Sequence, residues 1–227
     1  MNQNIELLKI RLLQLMDITE EDAMFRRING LDWNGYTMIG LRRLDNLEMC
    51  INSVIKNNVE GAIVEAGVWR GGACIFAAGV LKELEAERNI YVCDVFDNTF
   101  PEPQYECDNW TEVYDFTALS VSLGDVKSNF SKFDLLTDNV IFKQGWFSET
   151  LQTIEEPISI LRVDGDTYQS TLETLQLEKN IHSGGFIIMD DWAIDVSRKA
   201  FLDYFGGRVT DKDVVEVDSL SVYWKKP

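Results

Sequence analysis

Acidic side chains follow two apolar runs of the sequence at the points where the runs end. Residues 158–166 read ISILRVDGD, and residues 185–192 read GFIIMDDW. In open α/β sheets the carboxyl ends of neighbouring strands meet at one edge, where ligands bind. Three carboxylates at one place repel one another unless a cation lies among them, and an all-oxygen set favours Mg²⁺ over zinc. We therefore predict a magnesium site formed by Asp164, Asp190 and Asp191.

A divalent ion at this edge would leave positions for two adjacent hydroxyls of a substrate and would lower the pKa of one of them. Asp164 is then the expected proton acceptor. Asp166 is expected to cap the helix that begins near Ser170, because Asp is a favoured N-cap residue. The alternative is that all of these acids are solvated turn residues.

A glycine-rich turn follows an earlier apolar run. Residues 65–72 read EAGVWRGG, a G-x-x-x-G-G spacing rather than the G-x-G-x-x-G that holds a pyrophosphate. Gly67 would let the strand turn sharply, and Glu65 is placed to meet a cation or an amine. Asp94, 27 residues after Gly67, stands where α/β folds place an acid that accepts both hydroxyls of a ribose. The alternatives are a turn that serves packing only and an ordinary helix cap.

The elements that must position these residues alternate between strand and helix from residue 62 onward, which predicts a mainly parallel sheet with helices on both faces. A close pair of strands at the end predicts an antiparallel hairpin at one edge. We expect a helical N-terminal cap at 1–60, which could also be an oligomer contact, a main domain at 61–227, and a lid loop at 97–117. Seven strands are predicted, at 62–68, 89–96, 139–144, 158–163, 185–189, 214–217 and 221–224. Helices are predicted at 71–83, 121–130, 170–179 and 196–205.

Charge and cysteine content narrow the class of protein. Among the 227 residues, 21 Lys and Arg stand against 38 Asp and Glu, and the net charge of −17 disfavours nucleic acids and anionic membranes as partners. The four cysteines show no zinc-binding spacing, so reduced and mostly buried thiols are expected. Charged residues interrupt the apolar N-terminal stretch, and no run is long enough to span a membrane, which predicts a cytoplasmic protein.

Several motifs in order resemble the macrocin O-methyltransferase family: EAGVWRGGACIF at 65–76, QGWFSETL at 144–151, LRVDGDTYQST at 161–171 and GGFIIMDDW at 184–192. The segments at 36–40 and 43–46 and the final SVYWKK are similar to it as well. The resemblance implies a Rossmann-like class I methyltransferase fold. It also implies S-adenosylmethionine and Mg²⁺ as cofactors and a sugar-like hydroxyl of a natural product as the acceptor. A homo-oligomer, expected to be a dimer, is a separate expectation from the sequence.

The resemblance also implies roles for particular residues. Asp164 would be base and metal ligand, and Asp190 and Asp191 would complete the metal site. The residues implied for the cofactor are Thr37, Met38, Glu65, Ala66, Gly67, Val68, Trp69, Asp94, Val95, Phe96, Asp97, Asn98, Ser122 and Trp146. One departure concerns the single histidine, His182, which is expected on the surface in a turn, so no histidine is available for the acceptor. Aromatic residues of the lid loop could stack on the acceptor or merely pack: Tyr105, Trp110, Tyr114 and Phe116.

Two other functions remain open at this point. A nucleotide-dependent oxidoreductase also uses a glycine turn followed by an acid, but the glycine spacing, the Asp-Asp pair and the lack of a Tyr-x-x-x-Lys dyad disfavour it. A non-catalytic relative could keep the fold and bind a partner, although an acid stands at every metal position.

Overall fold

A computed structural model describes residues 2–14, 35–97, 99, 102–112 and 119–227. The helices are α1 Gln3–Leu12, α2 Leu41–Lys56, α3 Gly72–Glu83, α4 Leu123–Lys132, α5 Phe147–Thr150, α6 Tyr168–Leu175 and α7 Asp195–Phe205. The strands are β1 Ala62–Ala66, β2 Ile90–Asp94, β3 Val140–Gln144, β4 Ile158–Val163, β5 Ile181–Met189, β6 Val215–Glu216 and β7 Val222–Lys225. Short 3₁₀ helices lie at Glu106–Glu112, Leu151–Thr153 and Gln176–Asn180.

Within these ranges the strands form one seven-stranded sheet in the order β3-β2-β1-β4-β5-β7-β6. Strands β1 to β5 pair in parallel, whereas β7 pairs antiparallel with β5 and with β6. The α/β class and the mainly parallel sheet with an antiparallel C-terminal edge are confirmed. Strand β1 has β2 on one side and β4 on the other, so the order reverses there. Such a switch point opens a crevice at the carboxyl ends of the strands.

The sheet is covered on both faces because its strand residues alternate between two apolar cores. Ile63 of β1 and Ile160 of β4 belong to one core, whereas their neighbours Val64 and Leu161 belong to the other. This alternation is the period-2 direction of side chains along a strand. Helices α1 to α4 contribute to the first core, and helices α6 and α7 contribute to the second. Most residues of the central strands are therefore apolar, as expected of parallel strands buried on both faces.

The N-terminal helices pack on the first of these cores. Leu12 of α1 and Leu44 of α2 are fully buried in the same apolar cluster as residues of the sheet. The Lys9 ammonium is almost fully buried, and it pairs with Glu6, Asp45 and Glu48, which ties α1 to α2. These contacts hold the segment before β1 against the sheet. The division into a cap at 1–60 and a domain at 61–227 stays a prediction.

The region around Gly184 differs from the sequence-based expectation. The fifth strand was expected to begin at residue 185, with His182 in a turn before it, but β5 already begins at Ile181. Gly184 has a φ of +87°, and the pairing of β4 with β5 shifts register there, so the glycines form a bulge inside the strand. His182 is exposed within this bulge, as a surface residue but not in a turn.

The described part of the predicted lid contacts the start of α6. Asp108 of the 3₁₀ helix Glu106–Glu112 is buried, and its two carboxylate oxygens accept hydrogen bonds from the backbone N–H groups of Tyr168 and Gln169, each at 2.9 Å. The Tyr105 ring packs edge-on against Tyr168, with ring centroids 4.7 Å apart. The lid is thus docked through the otherwise unpaired donors of a helix N-terminus. Tyr114 and Phe116 lie outside the described residues.

Two further observations concern solvent and membrane exposure. Cys50, Cys74 and Cys93 are buried and Cys107 is exposed, and all four are free thiols. Among the described helices none combines the length and the apolar character needed to cross a bilayer.

Candidate active site

A cavity of about 450 Å³ lies at the carboxyl ends of β1, β2, β4 and β5. Its size is within the range of small-molecule sites, about 300–1,000 Å³. The predicted site residues that line it are Thr37, Met38, Glu65, Gly67, Val68, Trp69, Asp94, Val95, Asp97, Trp146, Asp164, Asp190 and Asp191. Ala66, Phe96 and Ser122 do not line it, and Asn98 lies outside the described residues. The structure therefore brings most of the predicted residues to one place.

The glycine turn after β1 is fixed by backbone geometry. Gly67 has a φ of +88°, and a Cβ atom there would lie 1.7 Å from the carbonyl oxygen of Asp164, so only glycine fits. The carboxylate of Asp94 holds the turn, because its oxygens accept hydrogen bonds from the N–H of Val68 at 2.8 Å and from the N–H of Phe96 at 3.1 Å. Burial raises the pKa of Asp94, although these N–H groups oppose that shift. The backbone N–H groups of Trp69 and Val95 also interact with this carboxylate.

The segment before α2 closes one side of the cavity. A Cβ atom on Gly72, the first residue of α3, would lie 2.3 Å from the carbonyl oxygen of Tyr36 and 2.6 Å from the Cβ of Thr37. Gly72 therefore lets this segment pass directly over the start of α3. Thr37 and Met38, which follow the contact, line the cavity next to the glycine turn.

Ser122 has a structural role in the same neighbourhood. Its hydroxyl accepts a hydrogen bond from the N–H of Asp125 at 3.1 Å and so caps the N-terminus of α4. A role of Ser122 toward a cofactor stays a prediction.

Three carboxylates converge where β4 and β5 end. One oxygen atom from each of Asp164, Asp190 and Asp191 lies within 4.8 Å of the other two, and we call this set the acidic triad. Burial raises the pKa of Asp164 and of Asp191 well above the ordinary value, and the neighbouring carboxylates add to both shifts. Burial by itself would also raise the pKa of Asp190, but Arg162 and Arg43 outweigh it and hold that pKa below its usual value.

Two buried guanidinium groups support the acidic triad, and neither was predicted. Arg162 of β4 contacts Glu65 and Asp164, each at 2.5 Å, and also Asp190. Arg43 of α2 donates to Asp190 at 2.7 Å. Glu65 also accepts a hydrogen bond from the thiol of Cys74 at 2.7 Å. The one signal for Arg162 in the sequence is a charged residue inside the apolar run ISILRV, because a buried charge needs partners.

Asp166 does not cap the following helix, in contrast to the expectation. Thr167 has the extended backbone of an N-cap residue, and its side chain accepts a hydrogen bond from the N–H of Ser170 at 3.0 Å. Asp166 itself has a φ of +61°, which is the left-handed region and unsuited to an N-cap. Its side chain lines the cavity next to the acidic triad, and burial raises its pKa to about 6. The N–H of Asp166 donates to Asp191 at 3.0 Å.

A further part of the cavity wall offers both polar and apolar groups. Ser170 and Glu173 lie three residues apart on α6 and line it together. The Glu173 carboxylate accepts a hydrogen bond from the Gln169 amide at 3.0 Å. The apolar lining residues of this part are Phe147, Ala193, Ile194 and Leu220. This lining suits a ligand with hydroxyl groups on an otherwise apolar body.

Comparison with known proteins places this site in a family. A family model described as Macrocin-O-methyltransferase (TylF) matches residues 3–226. Mycinamicin III 3''-O-methyltransferase of Micromonospora griseorubida is 38% identical over 202 residues, which are 84% of this chain and 78% of that protein. The 8-demethyl-8-(2,3-dimethoxy-alpha-L-rhamnosyl)-tetracenomycin-C 4'-O-methyltransferase of Streptomyces olivaceus is 38% identical over 208 residues, 88% of this chain and 79% of that protein.

A solved structure agrees with the sequence relatives. The O-methyltransferase NovP matches with a TM-score of 0.89 at 34% identity, covering 98% of this chain and 97% of that one. The match extends over the N-terminal helices as well as the sheet, and it confirms the Rossmann-like methyltransferase fold that the motifs predicted. The chain therefore belongs to the macrocin O-methyltransferase family.

Proposed function

We propose that the protein transfers a methyl group from S-adenosylmethionine to a hydroxyl of a sugar carried by a natural product, with a Mg²⁺ ion held by the acidic triad. The observation that carries the proposal is that the acidic triad and the glycine turn after β1 line one and the same cavity. The names of two relatives describe methyl transfer to defined oxygens, one of them in a compound with a rhamnosyl group. A sugar-like acceptor is the class that these names support.

The glycine-turn side of the cavity fits the methyl donor. Gly67, Val68 and Trp69 of the turn line the cavity, and Asp94 lies beside the turn to accept ribose hydroxyls. Thr37 and Met38 cover this part of the cavity. When it is bound, S-adenosylmethionine supplies an electrophilic methyl group on a sulfonium centre. The protein then has to hold the acceptor oxygen in line with that carbon. Such positioning lowers the activation free energy by up to about 7–11 kcal/mol.

The acidic triad fits a hard divalent cation. Its donors are carboxylate oxygens, and the five carboxylates of Glu65, Asp164, Asp166, Asp190 and Asp191 line the cavity with only two guanidinium groups, those of Arg43 and Arg162. Glu65 and Asp190 are buried, and negative charge in this excess favours a bound cation. When it is bound, Mg²⁺ lowers the pKa of a coordinated hydroxyl and orients it.

Two aspartates are candidates for the base that accepts the hydroxyl proton. Asp164 is the residue that the sequence motifs imply, and it stays a proposal as both base and metal ligand. The geometry favours Asp166 as a second candidate, because its carboxylate lines the cavity without pairing with either arginine in the described contacts. The Asp164 carboxylate, in contrast, already contacts Arg162 and would also bind the metal ion, so it has fewer lone pairs left to accept a proton. We assign the base to one of these two residues and separate them by mutation below.

The remaining elements complete the proposal. The lid docked through Asp108 and the segment at 36–38 would exclude water from the reacting groups. The family match argues against the nucleotide-dependent oxidoreductase. A cytoplasmic location and a homodimer remain parts of the proposal that rest on the sequence.

Calorimetry and mass spectrometry together test the proposal. We expect S-adenosylhomocysteine to bind without added metal and NADH not to bind. With a rhamnosylated acceptor and Mg²⁺, the product should gain the mass of one CH₂ unit, because a methyl group replaces the hydroxyl proton, and EDTA should abolish the gain. Preferential binding of NADH would overturn the cofactor assignment. Binding of S-adenosylhomocysteine without any methyl transfer to a panel of glycosides would instead favour a non-catalytic relative.

A further inference from the structure

Arg43 is a buried charged residue that the proposed reaction does not use directly. It is the third residue of α2, in the N-terminal segment that precedes the first strand of the sheet. Its side chain is about 8% exposed and reaches the edge of the cavity beside the acidic triad. A guanidinium is retained in such a place only where it is paired with acids.

The contacts of Arg43 join two acids from different parts of the fold. One terminal nitrogen donates to Oδ2 of Asp190 at 2.7 Å, and Nε donates to Oδ2 of Asp218 at 2.9 Å. Arg162 contacts the other oxygen, Oδ1, of Asp190. The Asp190 carboxylate is therefore held from both sides, and its rotation about the side-chain bonds is blocked.

The charge of Arg43 is balanced by Asp218. The second oxygen of Asp218, Oδ1, accepts hydrogen bonds from the N–H groups of Leu220 at 2.9 Å and Ser221 at 3.0 Å, which fixes it in the turn before β7. A cation beside Asp190 thus faces a nearly neutral Arg43–Asp218 pair rather than a free positive charge. Such a pair can orient a metal ligand without repelling the metal.

We infer that Arg43 is a positioning residue for the metal site, which holds Asp190 in the orientation that a divalent cation requires. This inference rests on the proposed function, because it assumes that the acidic triad holds a metal. Partners that orient metal-ligating side chains typically contribute about 10–100-fold to metal affinity. The N-terminal helical segment would then supply part of the metal site and would not serve only as a cover.

A Mn²⁺ binding measurement tests this inference without turnover. The concentration of free Mn²⁺ is measured by electron paramagnetic resonance. We expect Arg43→Gln to weaken Mn²⁺ binding about 10–100-fold, while the affinity for S-adenosylhomocysteine stays unchanged. Arg43→Lys keeps the charge but has only one donor nitrogen in place of the guanidinium fork, so it should recover part of the affinity. In turnover, Arg43→Gln should raise the metal concentration for half-maximal rate far more than it lowers kcat. Arg42→Gln is the matched control, since Arg42 is the exposed neighbour on the same helix.

Asp218→Asn provides a second variant in case Arg43→Gln does not fold, as judged by circular dichroism. The asparagine keeps the oxygen that caps the turn but loses the charge that balances Arg43, so Mn²⁺ binding should weaken in the same direction. Unchanged or tighter Mn²⁺ binding by folded Arg43→Gln, or by Asp218→Asn where Arg43→Gln does not fold, would overturn the inference. If the wild-type protein itself binds no Mn²⁺, the metal part of the proposed function fails and the inference fails with it.

Discussion

Gly67 and Asp164 are in direct backbone contact, because a Cβ atom on residue 67 would lie 1.7 Å from the Asp164 carbonyl oxygen. The N–H of Asp164 also donates to the carbonyl of Ala66 at 3.0 Å. The turn proposed for the methyl donor and the strand end proposed for the metal are thus packed against each other. Any change that separates them must disturb both.

The first prediction follows from this contact. Gly67→Ala should abolish binding of S-adenosylhomocysteine or prevent folding, because the clash is with backbone and is relieved only if β1 and β4 separate. Gly207→Ala is the matched control, since Gly207 has a nearly equal φ of +85° but open space around its Cα. In the control variant only backbone strain is added, which lowers the free energy of unfolding by about 1–3 kcal/mol. Calorimetry and thermal unfolding check both variants, and near-normal cofactor binding by Gly67→Ala would refute the prediction.

The second prediction concerns Asp191 of the acidic triad. Asp191→Asn keeps an oxygen that can accept the hydrogen bond from the N–H of Asp166 but removes one negative charge from the metal site. We expect turnover to be lost with the affinity for S-adenosylhomocysteine unchanged. Asp138→Asn, at an exposed position, should behave as wild type in both measurements. Methyl transfer that survives both Asp191→Asn and EDTA would show that the metal role is wrong.

The third prediction separates Asp164 from Asp166. If Asp164 is a metal ligand and Asp166 is the base, Asp164→Asn should weaken Mn²⁺ binding, while Asp166→Asn should leave Mn²⁺ and cofactor binding intact. Loss of a general base lowers kcat by about 10²–10⁴-fold. We expect kcat of the Asp166→Asn variant to fall by this factor when the metal is saturating. A normal rate in Asp166→Asn, with the loss confined to Asp164→Asn, would assign both roles to Asp164.

The fourth prediction concerns the docking of the lid. Asp108→Ala leaves two N–H groups at the start of α6 without their acceptor, which should lower the free energy of unfolding by about 1–3 kcal/mol. We expect faster proteolysis within residues 102–112 and a higher KM for the acceptor, with unchanged Mn²⁺ binding. Glu106→Ala is the control, because Glu106 is exposed in the same 3₁₀ helix. Equal proteolysis rates for the two variants would mean that Asp108 does not hold the lid.

The positions of most strands along the chain were predictable because local patterns determine them. Strand β4 has the predicted bounds, Ile158–Val163, since its apolar run lies between Pro157 and Asp164. The convergence of Asp164, Asp190 and Asp191 followed from the rule that neighbouring parallel strands end at one edge.

What could not be predicted depends on backbone detail or on partners distant in sequence. Asp166 and Thr167 are both good N-cap residues, and only the left-handed backbone of Asp166 decides between them. The glycines at 184 and 185 are equally typical of a turn and of a bulge. Arg43 finds its acids 147 and 175 residues away, so no local pattern identifies its partners.

The decisive measurement is a crystal structure with S-adenosylhomocysteine and Mn²⁺. We expect one anomalous peak between the carboxylates of Asp164, Asp190 and Asp191, with S-adenosylhomocysteine lying along the turn at Gly67. Carboxylates that surround only water at saturating Mn²⁺, with the anomalous peak elsewhere or absent, would contradict this expectation.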